Sequence, residues 1–191
     1  MRRDLDRYYT PDSAVRHLLA TFPSIGGGRL LDPCAGDGRM ALELLRQRRF
    51  DVAILNDLDP EAPVPLHLDA CDPDLYSMPP DWVVSNPPFT AAGDIAKMAI
   101  DHARLGVALL LRCTFLERCK ASPRAPRNGR LWLADHPPTD LLSIPRISFT
   151  GDGNTDTAPT WWFLWRRGGR GSIFFPDDAA AQLVLLPEVA A

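Results

Sequence analysis

Short apolar runs alternate with helix-like patterns along the first part of the chain. The runs, rich in Val, Ile, Leu and Trp, predict buried strands at 29–32, 50–55, 81–84 and 107–111. Apolar residues with helical spacing predict helices at 11–20, 39–45 and 91–104, with Thr10 as the N-cap of the first and Gly106 ending the third. This alternation predicts a Rossmann-like α/β fold, a mostly parallel sheet flanked by helices.

The pattern changes towards the carboxyl end. Residues 160–165 are an aromatic strand, and 173–175 are expected to close a hairpin with it, which gives the sheet an antiparallel C-terminal hairpin. Residues 130–134 and 141–144 are expected to be short strands or edge pieces. The residues after 176 (177–191) are expected to form a short helix or a frayed tail.

Length and composition favour a reduced, globular, cytoplasmic protein. The 191 residues suit one domain, with a charged arm at 1–7. The net charge of -3 gives no overall basic signature, so a nucleic-acid contact requires a local patch. The four cysteines lack C-x-x-C spacing, and neither a signal peptide nor an apolar run of membrane-spanning length is visible. We therefore expect no metal site and no membrane contact; the oligomeric state is not predicted.

The strand at 81–84 ends in an unusual corner, Ser85-Asn86-Pro87-Pro88-Phe89. Two prolines cannot donate to a sheet ladder, so they end the strand and stiffen a turn at the sheet edge where α/β proteins bind ligands. The Asn86 carbonyl oxygen and the Pro87 backbone carbonyl can accept both hydrogens of a planar exocyclic amine, which favours a pyramidal, nucleophilic nitrogen. Phe89 offers a face for a planar base. The alternative is a Pro-rich turn whose Phe89 fills the core.

A second candidate site follows the first strand. Asp32-Pro33-Cys34-Ala35-Gly36-Asp37-Gly38 lies between a strand and a helix, as in the first half of a βαβ unit. Gly36 and Gly38 let the backbone approach a ligand without Cβ interference. The loop is acidic, which suits a ligand that carries a sulfonium and an ammonium. The alternative is a generic Rossmann-like turn.

These stretches resemble motifs I and IV of the S-adenosylmethionine-dependent adenine-N6 methyltransferases. The preceding aromatic-Thr-Pro segment resembles motif X, and the motif order resembles the gamma-type arrangement of phage-type members. The resemblance covers residues 8 to about 165 and implies the class I methyltransferase fold, with S-adenosylmethionine as the cofactor. The cofactor-binding residues that it implies are Tyr8, Tyr9, Thr10, Pro11, Asp32, Cys34, Ala35, Gly36, Asp37, Gly38, Asp57, Asp69 and Asn86.

Two of these residues match weaker motifs. Asp57 matches the acid that binds the ribose in this family, with Asp59 as the fallback. Asp69 matches the acid that meets the adenine amino group of the cofactor, and Asp72 is a weaker candidate. All of them can also be plain turn residues.

Residues 118–146 are expected to be a short basic and Pro-rich insertion, which is a candidate for contact with nucleic acid. Phosphate contact and an ordinary solvated loop are equally good interpretations of its cations. These are Arg118, Lys120, Arg124, Arg127 and Arg130.

The resemblance implies methyl transfer from S-adenosylmethionine to the exocyclic amine of adenine in DNA, catalysed at Asn86, Pro87, Pro88 and Phe89. Because only residues 118–146 are free for target recognition, we expect a weak or short sequence preference, or a single-stranded substrate. Two alternatives are adenine methylation in RNA and glutamine methylation in a protein. A third is a non-catalytic module that binds S-adenosylmethionine or nucleic acid.

Overall fold

The computed structural model describes residues 10–47, 49–119, 136–145 and 159–169, together with two further strands at 172–175 and 182–185. Several predicted site residues lie outside the described residues, namely Tyr8, Tyr9, Lys120, Arg124, Arg127 and Arg130. Of Arg118, only the backbone is described.

Eight strands and three α-helices are present in the described residues. The strands are β1 Arg29–Asp32, β2 Val52–Leu55, β3 Trp82–Ser85, β4 Gly106–Arg112, β5 Asp140–Ser143, β6 Thr160–Arg166, β7 Ser172–Phe175 and β8 Gln182–Leu185. The helices are α1 Asp12–Thr21, α2 Arg39–Arg46 and α3 Ala92–His102, with shorter 3-10 helices at Pro73–Tyr76 and Cys113–Cys119.

The strands form one sheet in the order β2-β1-β3-β4-β6-β5-β7-β8. Strands β2, β1, β3 and β4 pair in parallel, whereas β6 runs antiparallel between β4 and β5. The predicted Rossmann-like fold, mostly parallel with an antiparallel C-terminal part, is therefore confirmed.

Helices cover both faces of the parallel part of the sheet. Helices α1 and α2 pack on the face that carries Leu30, Val84 and Leu110, and α3 packs on the opposite face. The indole of Trp162 in β6 donates a 3.0 Å hydrogen bond to the carbonyl of Ala14, which fastens α1 to the sheet. None of the described helices is long and apolar enough to cross a membrane.

Two predicted helix boundaries are wrong. Pro11, not Thr10, is the N-cap of α1; its carbonyl accepts a hydrogen bond from the Ala14 amide, and Thr10 is buried. Gly106 does not end α3, which stops at His102, but begins β4. A Cβ at Gly106 would lie 2.7 Å from the ring of Trp82, so a glycine is required by close packing against β3.

The C-terminal strands pair differently from the prediction. Strand β7 does not form a hairpin with β6 but pairs in parallel with β5. Both edges of β6 are already taken by β4 and β5, so no edge is left for β7. Residues 182–185, expected to be a helix or a frayed tail, form β8, which pairs antiparallel with β7.

Candidate active site

A cavity of ≈ 290 Å³ opens at the carboxyl edge of the parallel strands. Its walls come from the loop after β1, the segment after β2 and the corner after β3. The structure thus brings together residues predicted from separate parts of the sequence: Cys34, Gly36, Asp37, Asp57, Asp69, Asn86, Pro87, Pro88 and Phe89. Asp59, the fallback for Asp57, also lines the cavity, whereas Asp72 instead caps the 3-10 helix at Pro73–Tyr76.

A smaller cavity of ≈ 30 Å³ adjoins the larger one. Thr10, Asp32 and Ala35 line only the smaller cavity, while Gly36 and Asn86 are among the residues that line both. Asn86 therefore faces the space around the loop after β1, and it is not turned into the core. Pro11 and Gly38, although within the described residues, line neither cavity. Gly38 instead takes a positive φ of 76° as the N-cap of α2.

Asp32 is a fully buried carboxyl group at the end of β1. Its Oδ1 accepts hydrogen bonds from the Ser85 hydroxyl (2.7 Å) and the Cys34 amide (3.2 Å). Its Oδ2 is buried without a hydrogen-bond partner among the described residues. Burial raises the pKa of Asp32 to about 7, and the hydrogen bonds from Ser85 and Cys34 oppose this shift. The site therefore holds a carboxyl group with one oxygen still able to accept a hydrogen bond.

Asp57 supports the loop after β1 as well as lining the cavity. Its Oδ2 accepts a 2.8 Å hydrogen bond from the Gly36 amide, and its Oδ1 accepts one from the Asp59 amide. Gly36 has a positive φ of 56° and no atom within 4 Å of the position of a Cβ, so its backbone borders open space. Burial, followed by the charge of Asp32, raises the pKa of the Cys34 thiol well above its usual range, so this thiol stays neutral.

Asn56, which belongs to none of the predicted motifs, organises one wall of the cavity. It is fully buried, and its amide nitrogen donates 3.0 Å hydrogen bonds to the carbonyls of Pro33 and Leu68. Its Oδ1 accepts a 2.8 Å hydrogen bond from the Leu68 amide. In the described part of the chain, the segment around Leu68 pairs with the sheet through one isolated bridge, Asn56 to Leu66, so the Asn56 side chain replaces much of a strand pairing. The sequence signal for this role of Asn56 is an amide residue that directly follows an apolar strand.

The corner after β3 presents its groups to the larger cavity. Ser85 and Pro87 are buried, while Asn86 and Phe89 are partly buried. The Pro88 carbonyl accepts a hydrogen bond from the Ala91 amide, which leads the chain into α3. Phe89 belongs to neither hydrophobic core cluster of the described residues, and its ring has the guanidinium of Arg112 over it. This geometry disfavours the alternative in which Phe89 fills the core.

No protein-family model and no curated protein matches the chain. Solved structures are similar to it: a proposed RNA methyltransferase of Pyrococcus horikoshii, PH1948, has a TM-score of 0.61 and 17% identity over 85% of this chain and 87% of that one. The chain has the Rossmann-like methyltransferase fold. A proposed class I S-adenosylmethionine-dependent methyltransferase of Listeria monocytogenes is similar at a TM-score of 0.57 and 14% identity, over 86% of this chain and 62% of that one. A dimethyladenosine transferase of Plasmodium falciparum is similar at a TM-score of 0.56 and 14% identity, over 83% of this chain and 62% of that one.

Proposed function

We propose that the chain transfers a methyl group from S-adenosylmethionine to the exocyclic amine of adenine in nucleic acid. One observation carries this proposal: Asn86 lines both the small cavity beside Asp32 and the large cavity that contains Phe89. An amide oxygen for the amine and a ring for the base therefore adjoin the space proposed for the methyl donor.

The cavities fit S-adenosylmethionine in size and charge. A volume of ≈ 290 Å³ is at the lower end of ordinary small-molecule sites. The buried Oδ2 of Asp32 can accept a hydrogen bond from the ammonium group, and Asp57 or Asp59 can accept from the ribose hydroxyls. The bound cofactor supplies a methyl group made electrophilic by the sulfonium.

The residues of the corner act on the target amine. The Asn86 side-chain oxygen and the Pro87 carbonyl accept its two hydrogens, which localises the nitrogen lone pair and stabilises the positive charge that develops there. Phe89 holds the base by stacking, so catalysis is chiefly positioning. In a duplex the base must first leave the stack.

DNA is the substrate that the motif resemblance favours, with a weak or short sequence preference. RNA is a second candidate because the similar solved structures include a proposed RNA methyltransferase and a dimethyladenosine transferase.

The test is to incubate the protein with methyl-labelled S-adenosylmethionine and single-stranded DNA, duplex DNA, RNA or a protein mixture, and to analyse the digests by mass spectrometry. We expect labelled N6-methyladenine in nucleic acid, lost in Asn86→Ala and kept in Asp101→Asn, which changes an exposed residue of α3. Label in a glutamine amide would favour protein methylation, and cofactor binding without transfer would favour a non-catalytic module. Confinement to one long recognition site would contradict the weak preference.

A further inference from the structure

The guanidinium of Arg112 lies over the ring of Phe89, with Cζ 4.5 Å from the ring centroid. This is within the range of a cation–π contact. Phe89 also lines the larger cavity. One face of the ring is thus covered by a planar cation at the place where the proposed target base would stack.

Strand lengths explain how Arg112 reaches the corner. In the parallel pairing of β3 with β4, the last residue of β3, Ser85, lies opposite Leu109. Strand β4 continues through Leu110 and Leu111 to Arg112, which extends it by about 10 Å beyond the end of β3. The antiparallel pairing of Arg112 with Thr160 in β6 fixes the backbone there. The position of Arg112 is therefore set by the sheet.

We propose that Arg112 is a positioning residue for the target base and that it acts through Phe89. This inference rests on the proposed function. Phe89 lines the larger cavity and Arg112 does not, so the base stacks on the part of the ring that borders the cavity. A cation on one side also draws π density away from the ring, which strengthens stacking of an electron-rich purine on the other side. Arg112 thereby favours adenine in one orientation relative to Asn86.

Direct contact of Arg112 with a phosphate is the competing role. A phosphate contact contributes to binding through counterion release, so its loss lowers the slope of log affinity against log salt concentration by about 1. A residue that acts through a ring leaves that slope unchanged. The two roles therefore differ in a measurable quantity.

The experiment measures binding of a single-stranded oligodeoxynucleotide that carries one 2-aminopurine, whose fluorescence is quenched when it stacks. Arg112→Met keeps the length of the side chain but removes the planar cation, and Arg112→Lys keeps the charge. Arg16→Met makes the same chemical change at an exposed position of α1. Calorimetry with S-adenosylmethionine verifies that each variant keeps its folded cofactor site.

We expect Arg112→Met to weaken oligonucleotide binding by about 2- to 30-fold and to reduce quenching, the range that a cation–π contact allows. Arg112→Lys should fall in between, while Arg16→Met and cofactor affinity should be unchanged. In a Phe89→Leu background, Arg112→Met should have almost no further effect, because the residues act as a unit. Equal binding by the parent and Arg112→Met, additive effects with Phe89→Leu, or a reduced salt slope would each overturn the proposal.

The measurements distinguish a failure of the proposed methyltransferase activity from a failure of the proposed role of Arg112. A parent protein that quenches 2-aminopurine without methyl transfer removes the proposed activity and leaves the role of Arg112 in place. A parent that methylates adenine while Arg112→Met behaves identically removes only the positioning role. A parent that neither binds nor quenches the oligonucleotide overturns both.

Discussion

The hydroxyl of Ser85 donates a 2.7 Å hydrogen bond to Oδ1 of Asp32. Both side chains are fully buried, and they stand at the ends of β3 and β1, which are adjacent parallel strands. The bond joins the corner that carries Asn86 to the loop that carries Gly36. The two halves of the candidate site are therefore held in one rigid arrangement from inside the sheet.

The pH dependence of stability should report on Asp32. Its pKa is about 7 in the folded protein and 3.8 ordinarily, so its protonated form stabilises the fold. That contribution is complete below about pH 4 and is lost as the pH rises through 7. Between pH 5 and 8, without cofactor, the free energy of unfolding should fall by roughly 3 kcal/mol in the parent, and Asp32→Asn should remove most of that fall. Urea unfolding at several pH values measures this.

The other carboxylates with shifted pKa values do not contribute to the change in stability between pH 5 and 8. The pKa values of Glu43 and Asp81 are lowered, the first chiefly by a hydrogen bond from Gln47 and the second by one from the Arg29 amide. Their stabilisation is present above their ordinary pKa values and is lost only in more acidic solution. An Asp32→Asn protein with the same pH slope as the parent between pH 5 and 8 would contradict the prediction.

Asn86→Ala should reduce the rate constant of methyl transfer by about 100- to 1,000-fold, because it removes one pre-positioned acceptor at the reacting nitrogen. Single-turnover kinetics with labelled cofactor measures this. Asn86→Asp keeps an acceptor oxygen and should retain more activity than Asn86→Ala. Equal rates for Asn86→Ala and the parent would end the proposed mechanism.

Gly36→Ala should weaken S-adenosylmethionine binding at least about tenfold, because its Cβ would project into the space where the ligand is expected. Its positive φ should also cost about 1 kcal/mol of stability. Gly93→Ala is the matched control: its Cβ meets no atom within 4 Å, and it lies in α3. That change should leave cofactor affinity unchanged and raise stability by about 0.5–1 kcal/mol. Calorimetry and urea unfolding measure the two effects, and unchanged binding by Gly36→Ala would contradict the cofactor assignment.

Asn56→Ala should lower the free energy of unfolding by about 2–4 kcal/mol, because it removes the partner of three backbone groups, the Pro33 carbonyl and both polar groups of Leu68. It should also weaken cofactor binding, since the wall loses its support. Denaturation and calorimetry on the same samples test both effects. A loss below about 0.5 kcal/mol would show that water replaces the amide without cost.

Local patterns predicted the strands that build the site because apolar runs and glycine loops express their structure over a few residues. The ends of the helices and the pairing partners of the strands were harder to predict. Thr10 resembles an N-cap in sequence, yet it is buried and lines the small cavity, and Pro11 is the N-cap. The pairing of β7 with β5 depends on which sheet edges are already occupied, which no local pattern records.

In the candidate site, too, local features were predicted and contacts between distant residues were not. The corner at 85–89 and the loop at 32–38 were predicted from residue types with a direct chemical meaning. The bond between Ser85 and Asp32, the three bonds of Asn56 and the cation–π contact of Arg112 with Phe89 join residues from different elements of the fold. Such contacts depend on the register of the sheet, which sequence patterns alone do not determine.

The segment around Leu68 is held beside the end of β2 by the Asn56 side chain and by the backbone bond from Asp57 to the Leu66 carbonyl, and Leu66 and Leu68 pack against the core. The ladders between the described strands do not run through this segment. A substitution that loosens it should therefore change the cavity wall at Asp69 and Ala70 while the pairing of the strands stays in place.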